Sequence, residues 1–319
     1  MSKRALITGG NGYIGHQLQK ELKLSGYSVI VIDKKDPALL MSNNYCDLYI
    51  QADLTDKYKL FEIFPAIEID IVFHLAGYIE VGESEQHPLE YYENNVVSTI
   101  NTLSLMKRIG CDKIVFSSTA AVYGEDEISV YGKTKIMSED IIKDAHKEKI
   151  HGVCLRYFNV AGADSNGEFG ENHYPETHLI PNLFLKDGLT INGDDYNTYD
   201  GTCARDYVHV EDLAYAHVLA ADYLFKGNST NFFDIGSGNS VTIKQIVTEA
   251  ERVLNKKIKT TIGPRRPGDP AVLKADNTRA ECILMYTPEH TLDTIIKTAY
   301  NWEVKQKRVA KRKRTKKGS

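Results

Sequence analysis

Short β-branched runs alternate with longer stretches of helical periodicity through the first 160 residues. Leu6-Ile7, Val29-Ile30-Val31-Ile32, Ile71-Val72-Phe73 and Ile114-Val115-Phe116 are each bounded by polar or turn-forming residues. Runs this short and this uniformly apolar suit strands buried on both faces of a parallel sheet. Between them, segments near 14–25, 56–64, 88–109 and 131–148 have the spacing of amphipathic helices. This β-α-β-α rhythm predicts an α/β fold, a doubly wound parallel sheet covered by helices on both faces.

The rhythm loosens after Gly162, where Gly, Asn and Asp become frequent and Pro175 and Pro181 interrupt the chain. Strand and helix signals return with Tyr207-Val208, an apolar helix from Asp212 to Phe225, and Phe232-Phe233-Asp234-Ile235. The expected organisation is a first domain of residues 1–161 plus 206–236, whose later piece rejoins the first sheet. A smaller C-terminal lobe of 162–205 plus 237–303 follows, and then a basic, disordered tail, 304–319.

Composition narrows the function classes. With 42% hydrophobic and 26% charged residues, the 319-residue chain resembles a soluble globular protein. No stretch approaches the roughly 20 apolar residues of a membrane span. The apolar run after Met1-Ser2-Lys3-Arg4 ends in glycines after four residues, too short for a signal-peptide core, so a cytoplasmic location is expected. Five cysteines, an odd number without a CxxC pair, read as reduced thiols; neither a disulfide frame nor a metal site is expected. The net charge of −4 hides an asymmetry: residues 305–317 hold nine Lys and Arg and no acid, leaving 30 basic against 43 acidic residues elsewhere. So acidic a body argues against nucleic acid as the main partner. Only the tail offers nucleic acid or a localisation receptor anything, and its plainer reading is a solvated end.

Two constellations carry chemistry. The first strand runs into Thr8-Gly9-Gly10-Asn11-Gly12-Tyr13-Ile14-Gly15 and then a helix. Glycines let the backbone turn sharply and come close to a pyrophosphate, and the helix N-terminus offers free N–H groups. Strand, loop and helix arrive in Rossmann order, which makes Gly9, Gly12 and Gly15 the candidates for holding a dinucleotide. Asp33 follows the second strand, where an acid bonds the ribose hydroxyls of NAD and repels the extra phosphate of NADP, although Lys34 and Lys35 adjoin it. Asp53, after another short apolar run, suits an adenine contact. The second constellation is Tyr131-Gly132-Lys133-Thr134-Lys135 behind Ser117-Ser118-Thr119. Tyr131 and Lys135 share a helix face one turn apart, so the ammonium, together with the positive nicotinamide of an oxidised cofactor, is expected to lower the phenol's pKa from near 10. The phenolate then serves as base towards a sugar hydroxyl, with the Thr119 hydroxyl sharing the same oxygen.

These residues resemble the extended short-chain dehydrogenase/reductase family, most closely its UDP-hexose 4-epimerase branch. The resemblance runs from about Ala5 to Ala280. It includes His74-Leu75-Ala76-Gly77, Val81-Gly82-Glu83-Ser84, Pro88 to Val96, Phe116 to Gly124, and Leu155 to Ala163. The more specific late motifs are Gly193 to Tyr196, Asp200-Gly201-Thr202, Arg205-Asp206-Tyr207-Val208-His209-Val210 and Arg265-Arg266-Pro267-Gly268-Asp269-Pro270-Ala271. By that resemblance Tyr13, Ile14, Asp33, Asp53, Leu54, Ala76, Gly77, Asn94 and Phe158 line an NAD site. Asn159, Leu179, Arg205, Arg266 and Asp269 hold the UDP part of a UDP-sugar, for which guanidinium groups are apt partners of the diphosphate. The resemblance implies hydride passing from C4 of the sugar to NAD and back to its other face through a 4-keto sugar. It also implies a homodimer paired through the helices near 88–109 and 131–148.

The chain departs from the family pattern in places. Dehydratases of the family carry an Asp-Glu pair after the motif threonine; Ala120 and Ala121 stand there, which disfavours dehydration. Thr119 takes the place of a common serine, and the stretch from Thr119 to Tyr131 is short. Ile79 replaces a lysine near the cofactor, Asn192 an aromatic near the uracil and His178 an asparagine near the substrate. Leu273, intermediate in bulk, leaves open whether UDP-glucose, UDP-N-acetylglucosamine or a UDP-pentose is the substrate. A nucleotide-sugar reductase and a non-catalytic cofactor-binding protein remain the alternative readings.

Overall fold

The computed structural model describes residues 2–39, 45–124, 128–172, 176–266 and 268–317. Pro175, Pro267 and the middle of the short stretch before Tyr131 (125–127) lie outside them. The chain begins with β1 (Arg4–Thr8), α1 (Tyr13–Leu24), β2 (Ser28–Asp33), β3 (Leu48–Gln51), α2 (Lys57–Ile63) and β4 (Ile71–His74). Short helices α3 (Val81–Gln86) and α4 (Pro88–Tyr91) lead through a π-helical turn, Tyr92–Val97, into α5 (Ser98–Ile109). β5 (Lys113–Thr119), α6 (Val130–Asp144) and β6 (His151–Tyr157) complete this part. There follow β7 (Asn159–Ala161), α7 (Leu179–Leu185), β8 (Leu189–Asn192), β9 (Ala204–His209), α8 (Val210–Phe225) and β10 (Asn231–Ile235). The remainder is β11 (Ser240–Thr242), α9 (Ile243–Leu254), β12 (Thr260–Gly263), β13 (Val272–Leu273) and α10 (Leu292–Lys317).

The chain divides into two compact units. The first comprises 1–157, 213–235 and 276–287. Among the described residues its sheet has seven strands in the order β10-β6-β5-β4-β1-β2-β3, each adjacent pair parallel. Both faces are packed, which explains the continuous apolar runs. Leu6, Ile30, Ile32, Val72, Ile114 and Phe116 join one core with Leu60, Leu103, Met106 and Ile142 from α2, α5 and α6. The alternate residues Ala5, Ile7, Val29, Val31, Ile71 and Phe73 are equally buried, as are Leu18 and Leu22 of α1. The sequence direction reverses between β1 and β4, and a doubly wound sheet binds ligands at the carboxyl ends of its strands beside such a switch.

The second unit comprises 158–212, 236–275 and 288–319. β9 is flanked by β11 (antiparallel) and β13 (parallel) and also pairs with β7, while β8 and β12 form a separate parallel pair. Ile180, Leu183, Tyr207, Ile246, Val247, Ile295 and Ile296 are central to its core. Three expectations need correction here. Tyr207-Val208 does not return to the first sheet: β9 pairs only within the second unit, and β10 alone rejoins, against β6. Residues 276–287, assigned to the lobe by sequence, group with the first unit. The expected disordered tail continues the helix of α10 to Lys317, a helix anchored by Trp302, whose indole donates to the Glu171 carbonyl at 2.8 Å. Among the described residues no helix is long and apolar enough to cross a membrane, and the five cysteines are unpaired.

Candidate active site

In the first unit, the candidate residues gather at the carboxyl ends of β1, β2, β4 and β5. After β1 the chain turns at Gly9, whose φ of 71° favours glycine, and Gly9 N donates to the Ile32 carbonyl at 2.8 Å. A Cβ on Gly9 would sit 2.7 Å from Ala76 N, and one on Gly15 would sit 2.5 Å from the Gly10 carbonyl oxygen. Two backbone segments thus approach as closely as glycine permits. α1 starts after Gly12, where no side chain caps its N–H groups. Its positive end therefore remains available to a phosphate.

Asp33 ends β2 and is buried, with Oδ2 accepting from Asn11 N at 2.9 Å and Oδ1 from Lys35 N at 3.0 Å. Its carboxylate is aimed beside the glycine loop, and each oxygen keeps a lone pair for a ribose hydroxyl. The neighbouring lysines point elsewhere: Lys35 Nζ donates to the Asn11 carbonyl and Lys34 Nζ to the Tyr78 hydroxyl. Beyond β3, Asp53 folds onto Thr55 while the Leu54 carbonyl is held by Asn101 Nδ2 at 2.8 Å. Ala76 and Gly77 follow β4, and a Cβ on Gly77 would lie 3.1 Å from Asn95 Oδ1. These features fit a dinucleotide: a cradle that side chains would fill, uncapped helix N–H groups and an acid at the ribose position.

Sequence reasoning chose Asn94 and missed its neighbour. Asn94, half-buried, donates to Asn95 Oδ1 at 3.0 Å. Asn95, buried in the π-helical turn, accepts from Tyr78 N at 2.7 Å and donates to the Tyr78 carbonyl and to Thr134 Oγ1. It ties the post-β4 loop to α6. The doubled Asn of the motif was the only signal, and the turn's wider pitch decides which residue faces inward. His74 is a second hidden member, bonded to Thr8 Oγ1 at 2.6 Å and Thr99 Oγ1 at 3.2 Å, its pKa lowered to about 3 by burial and by Lys135.

The reacting groups come from β5 and α6. Ser129 caps α6 by accepting from Gly132 N at 3.1 Å, and Ser84 accepts from Tyr131 N at 3.1 Å. Tyr131 and Lys135 are both buried. Thr119 lies close enough to Tyr131 to favour its phenolate, and its Oγ1 accepts from Ala121 N at 3.1 Å. Lys135 Nζ donates to the Ser117 carbonyl at 2.8 Å and lies 5.9 Å from the centre of the Tyr131 ring. Among the protein's own groups the expected lowering by the ammonium is corrected: burial, opposed by nearby Thr119, pushes the phenol up to about 12. Burial likewise lowers Lys135 to about 8, against the pull of Glu139. The ammonium is directed at a backbone carbonyl, so helix spacing alone overstated its hold on the phenol.

The second unit assembles the other candidates. Arg205 on β9 is buried; it donates to Asp269 Oδ1 at 2.7 Å and to the Ala204 and Pro270 carbonyls at 2.7 and 2.9 Å. Arg266 is exposed, and its carbonyl accepts from Asp269 N at 3.3 Å. Leu273 pairs in register with Arg205 across β13 and β9. Asn159 opens β7 opposite Tyr207, and buried Phe158 precedes it. Leu179 starts α7 and packs on the unit's core; His178 before it is held by Glu171 and Glu176. Although no metal site was expected, His209, Glu211 and His290 converge with metal-like spacing. His290 already supplies the positive charge, bonding Asp212 at 2.7 Å and Glu211 at 3.1 Å.

The model of the NAD dependent epimerase/dehydratase family matches residues 5–236. A UDP-glucose 4-epimerase of Lactobacillus helveticus is 42% identical over 318 residues, covering 94% of this chain and 96% of that protein. Among solved structures, a UDP-glucose 4-epimerase from Stenotrophomonas maltophila with bound NAD and formylated UDP-arabinopyranose superposes with a TM-score of 0.91 at 31% identity, covering 96% of this chain and 99% of that one. The Brucella ovis UDP-glucose 4-epimerase in complex with NAD gives a TM-score of 0.88 at 36% identity, covering 94% and 98%.

Proposed function

The chain belongs to the NAD dependent epimerase/dehydratase family, and from that membership we propose that it interconverts UDP-glucose and UDP-galactose at C4 with NAD as resident cofactor. The observation that carries the proposal is the convergence of Thr119, Tyr131 and Lys135 with a glycine loop at one edge of the same parallel sheet.

Gly9, Gly12, Tyr13, Ile14, Gly15, Asp33, Asp53, Leu54, Ala76, Gly77, Asn94 and Phe158 are the proposed cofactor residues. NAD bound there supplies a hydride acceptor in one half of the reaction and a donor in the other. Tyr131 takes the C4 hydroxyl proton and later returns it, and Thr119 bonds the same oxygen, so proton movement stays local. Lys135 keeps a positive charge beside the site and favours the phenolate. Ala120 and Ala121 provide no acid or base for eliminating water, which favours epimerisation over dehydration. The second unit is the proposed substrate lobe, with Asn159, Leu179, Arg205, Arg266 and Asp269 gripping UDP. Arg205, already fixed by Asp269 and two carbonyls, would present its remaining N–H groups without paying rotamer entropy on binding.

A homodimer through α4, α5 and α6 is part of the proposal, supported by exposed Leu89, Ile100 and Met137 on those helices. A cytoplasmic setting and a role in galactose metabolism suit five unpaired thiols and this substrate.

The test is to incubate the purified protein with UDP-galactose, without added cofactor, and follow UDP-glucose by chromatography. Conversion that disappears in Tyr131→Phe establishes both reaction and base. Stoichiometric consumption of added NADH would reassign the chain as a reductase. No conversion even with NAD supplied would shift the substrate to UDP-N-acetylglucosamine or a UDP-pentose.

A further inference from the structure

α6 carries a third inward polar group on the Tyr131 and Lys135 face, one turn further along. Glu139 is 4% exposed, and positions 131, 135 and 139 share a face at i, i+4 and i+8. A buried carboxylate needs partners, and this one has three bonds. Oε1 accepts from Ser118 Oγ at 2.5 Å and Arg156 Nε at 2.9 Å, while Oε2 accepts from Arg156 Nη2 at 2.7 Å. Arg156 stands opposite Ser118 in the β5–β6 register. Its Nη1 donates to the Tyr123 hydroxyl at 2.7 Å, and that hydroxyl donates to Asp234 on β10.

Ser118 has a strategic place. The residue before it supplies the carbonyl that holds Lys135, and the residue after it is Thr119, whose hydroxyl lies near Tyr131. One carboxylate therefore clamps the end of β5 onto α6 between the two anchor points. It is also an anion in the same low-dielectric interior as the ammonium. The titratable and charged groups around Lys135 are Tyr131 and Glu139 on α6, His74 on β4, and Cys154 and Arg156 on β6; β5 contributes a neutral carbonyl.

We propose that Glu139 is a positioning residue for the reaction: its buried carboxylate, paired with Arg156 one helical turn beyond Lys135, is the countercharge of that lysine, and its bond to Ser118 sets the register of Thr119 against Tyr131. Burial works against the Lys135 charge, and Glu139 is the leading opposing influence. Arg156 competes for that influence, so the ion pair sets how much reaches the lysine. This inference rests on the proposed reaction for its kinetic consequence.

The experiment uses the protein as purified with its cofactor. In Glu139→Gln the alkaline limb of kcat moves about one pH unit towards acid, since a lysine that has lost a nearby anion gives up its proton earlier. KM for UDP-galactose is expected to hold, because Glu139 is buried and bonded to Ser118 and Arg156. Arg156→Gln removes the competitor and moves the limb the opposite way. Ser118→Ala removes the clamp and leaves the charge, lowering kcat with the limb in place. NMR of [ε-13C]lysine-labelled protein, with Lys135 assigned through Lys135→Arg, reports the same shifts without substrate. A chain inactive on every UDP-sugar would overturn the proposed reaction and leave this titration readable. Unmoved Lys135 titration in Glu139→Gln overturns the inference; should that variant fail to fold, unmoved titration in Arg156→Gln does so.

Discussion

Gly15 offers the sharpest test of the cofactor loop, because the atoms that oppose a side chain there are backbone. In Gly15→Ala the new Cβ would lie 2.5 Å from the Gly10 oxygen and 2.6 Å from the Gly9 oxygen. A side chain could rotate aside; two peptide carbonyls in a turn cannot. Nor is the loop free to retreat, since Gly9 N is bonded to the Ile32 carbonyl and Gly10 lies against Val31. Overpacking of this kind costs about 1–3 kcal/mol. At roughly 2–4 °C per kcal/mol for a large domain, the melting temperature should fall by about 5 °C. The displaced loop also carries the N–H groups proposed to hold the cofactor phosphates, and each 1.4 kcal/mol lost there weakens binding about tenfold. The assay is a thermal melt together with the NAD released per chain on denaturation. Gly82→Ala is the control, a helical glycine with nothing within 4 Å of its added Cβ, and it should melt at or slightly above the wild-type temperature. A Gly15→Ala protein with wild-type melting and full NAD content would show slack in the loop and refute the reasoning.

Other expectations follow from the same geometry. Tyr131→Phe should lower kcat on the order of 10³-fold with the fold intact by circular dichroism, while Thr119→Ser keeps most activity and Thr119→Ala loses about 10²-fold. Arg205→Met removes three hydrogen bonds and strands Asp269, so KM for the UDP-sugar should rise about 10- to 100-fold with kcat less affected; an unchanged KM would detach Arg205 from the substrate. His290 gives a pH dependence. Hydrogen bonds to Asp212 and Glu211 raise its pKa from 6.5 to about 10, so its stabilisation is full below about pH 6.5 and is lost as pH rises towards 10. Wild-type melting temperature should therefore decline through that window more steeply than in His290→Gln, and parallel curves would count against the charged pairing.

Local pattern carried much of this fold, and it failed where apolar runs are broken or short and where pairing is remote. β1, β2, β4 and β5 were legible because both their faces are buried and their apolar runs are unbroken. β6 was not read as a run because Gly152, Cys154 and Arg156 interrupt it, and β3 is a short edge strand with Leu48 exposed. Tyr207-Val208 was correctly strand-like yet placed in the wrong sheet, since pairing partners far along the chain leave no trace in a strand's own residues. The candidate site divides in the same way. The glycine loop and the Tyr131–Lys135 spacing are contiguous signals. Asn95, Glu139 and Arg156 are single polar residues in helix or strand, and only the folded register brings each to partners 17 to 39 positions away.

Burial pushes the Tyr131 phenol up to about 12 and the Lys135 ammonium down to about 8, in each case against the charged form. The two residues on which the proposed chemistry depends are therefore both set against it in the protein alone. At neutral pH Tyr131 keeps its proton and Lys135 remains largely charged. Phenolate thus requires a positive charge beyond the one the chain supplies, and an oxidised nicotinamide carries it. That dependence has a use: a tyrosine ionised without cofactor would be a permanent base with nowhere to send a hydride. Burying Tyr131 ties base strength to cofactor occupancy. The Glu139–Arg156 pair, with Glu139 buried on α6, is then the protein's own means of holding charge on that lysine under the proposal above.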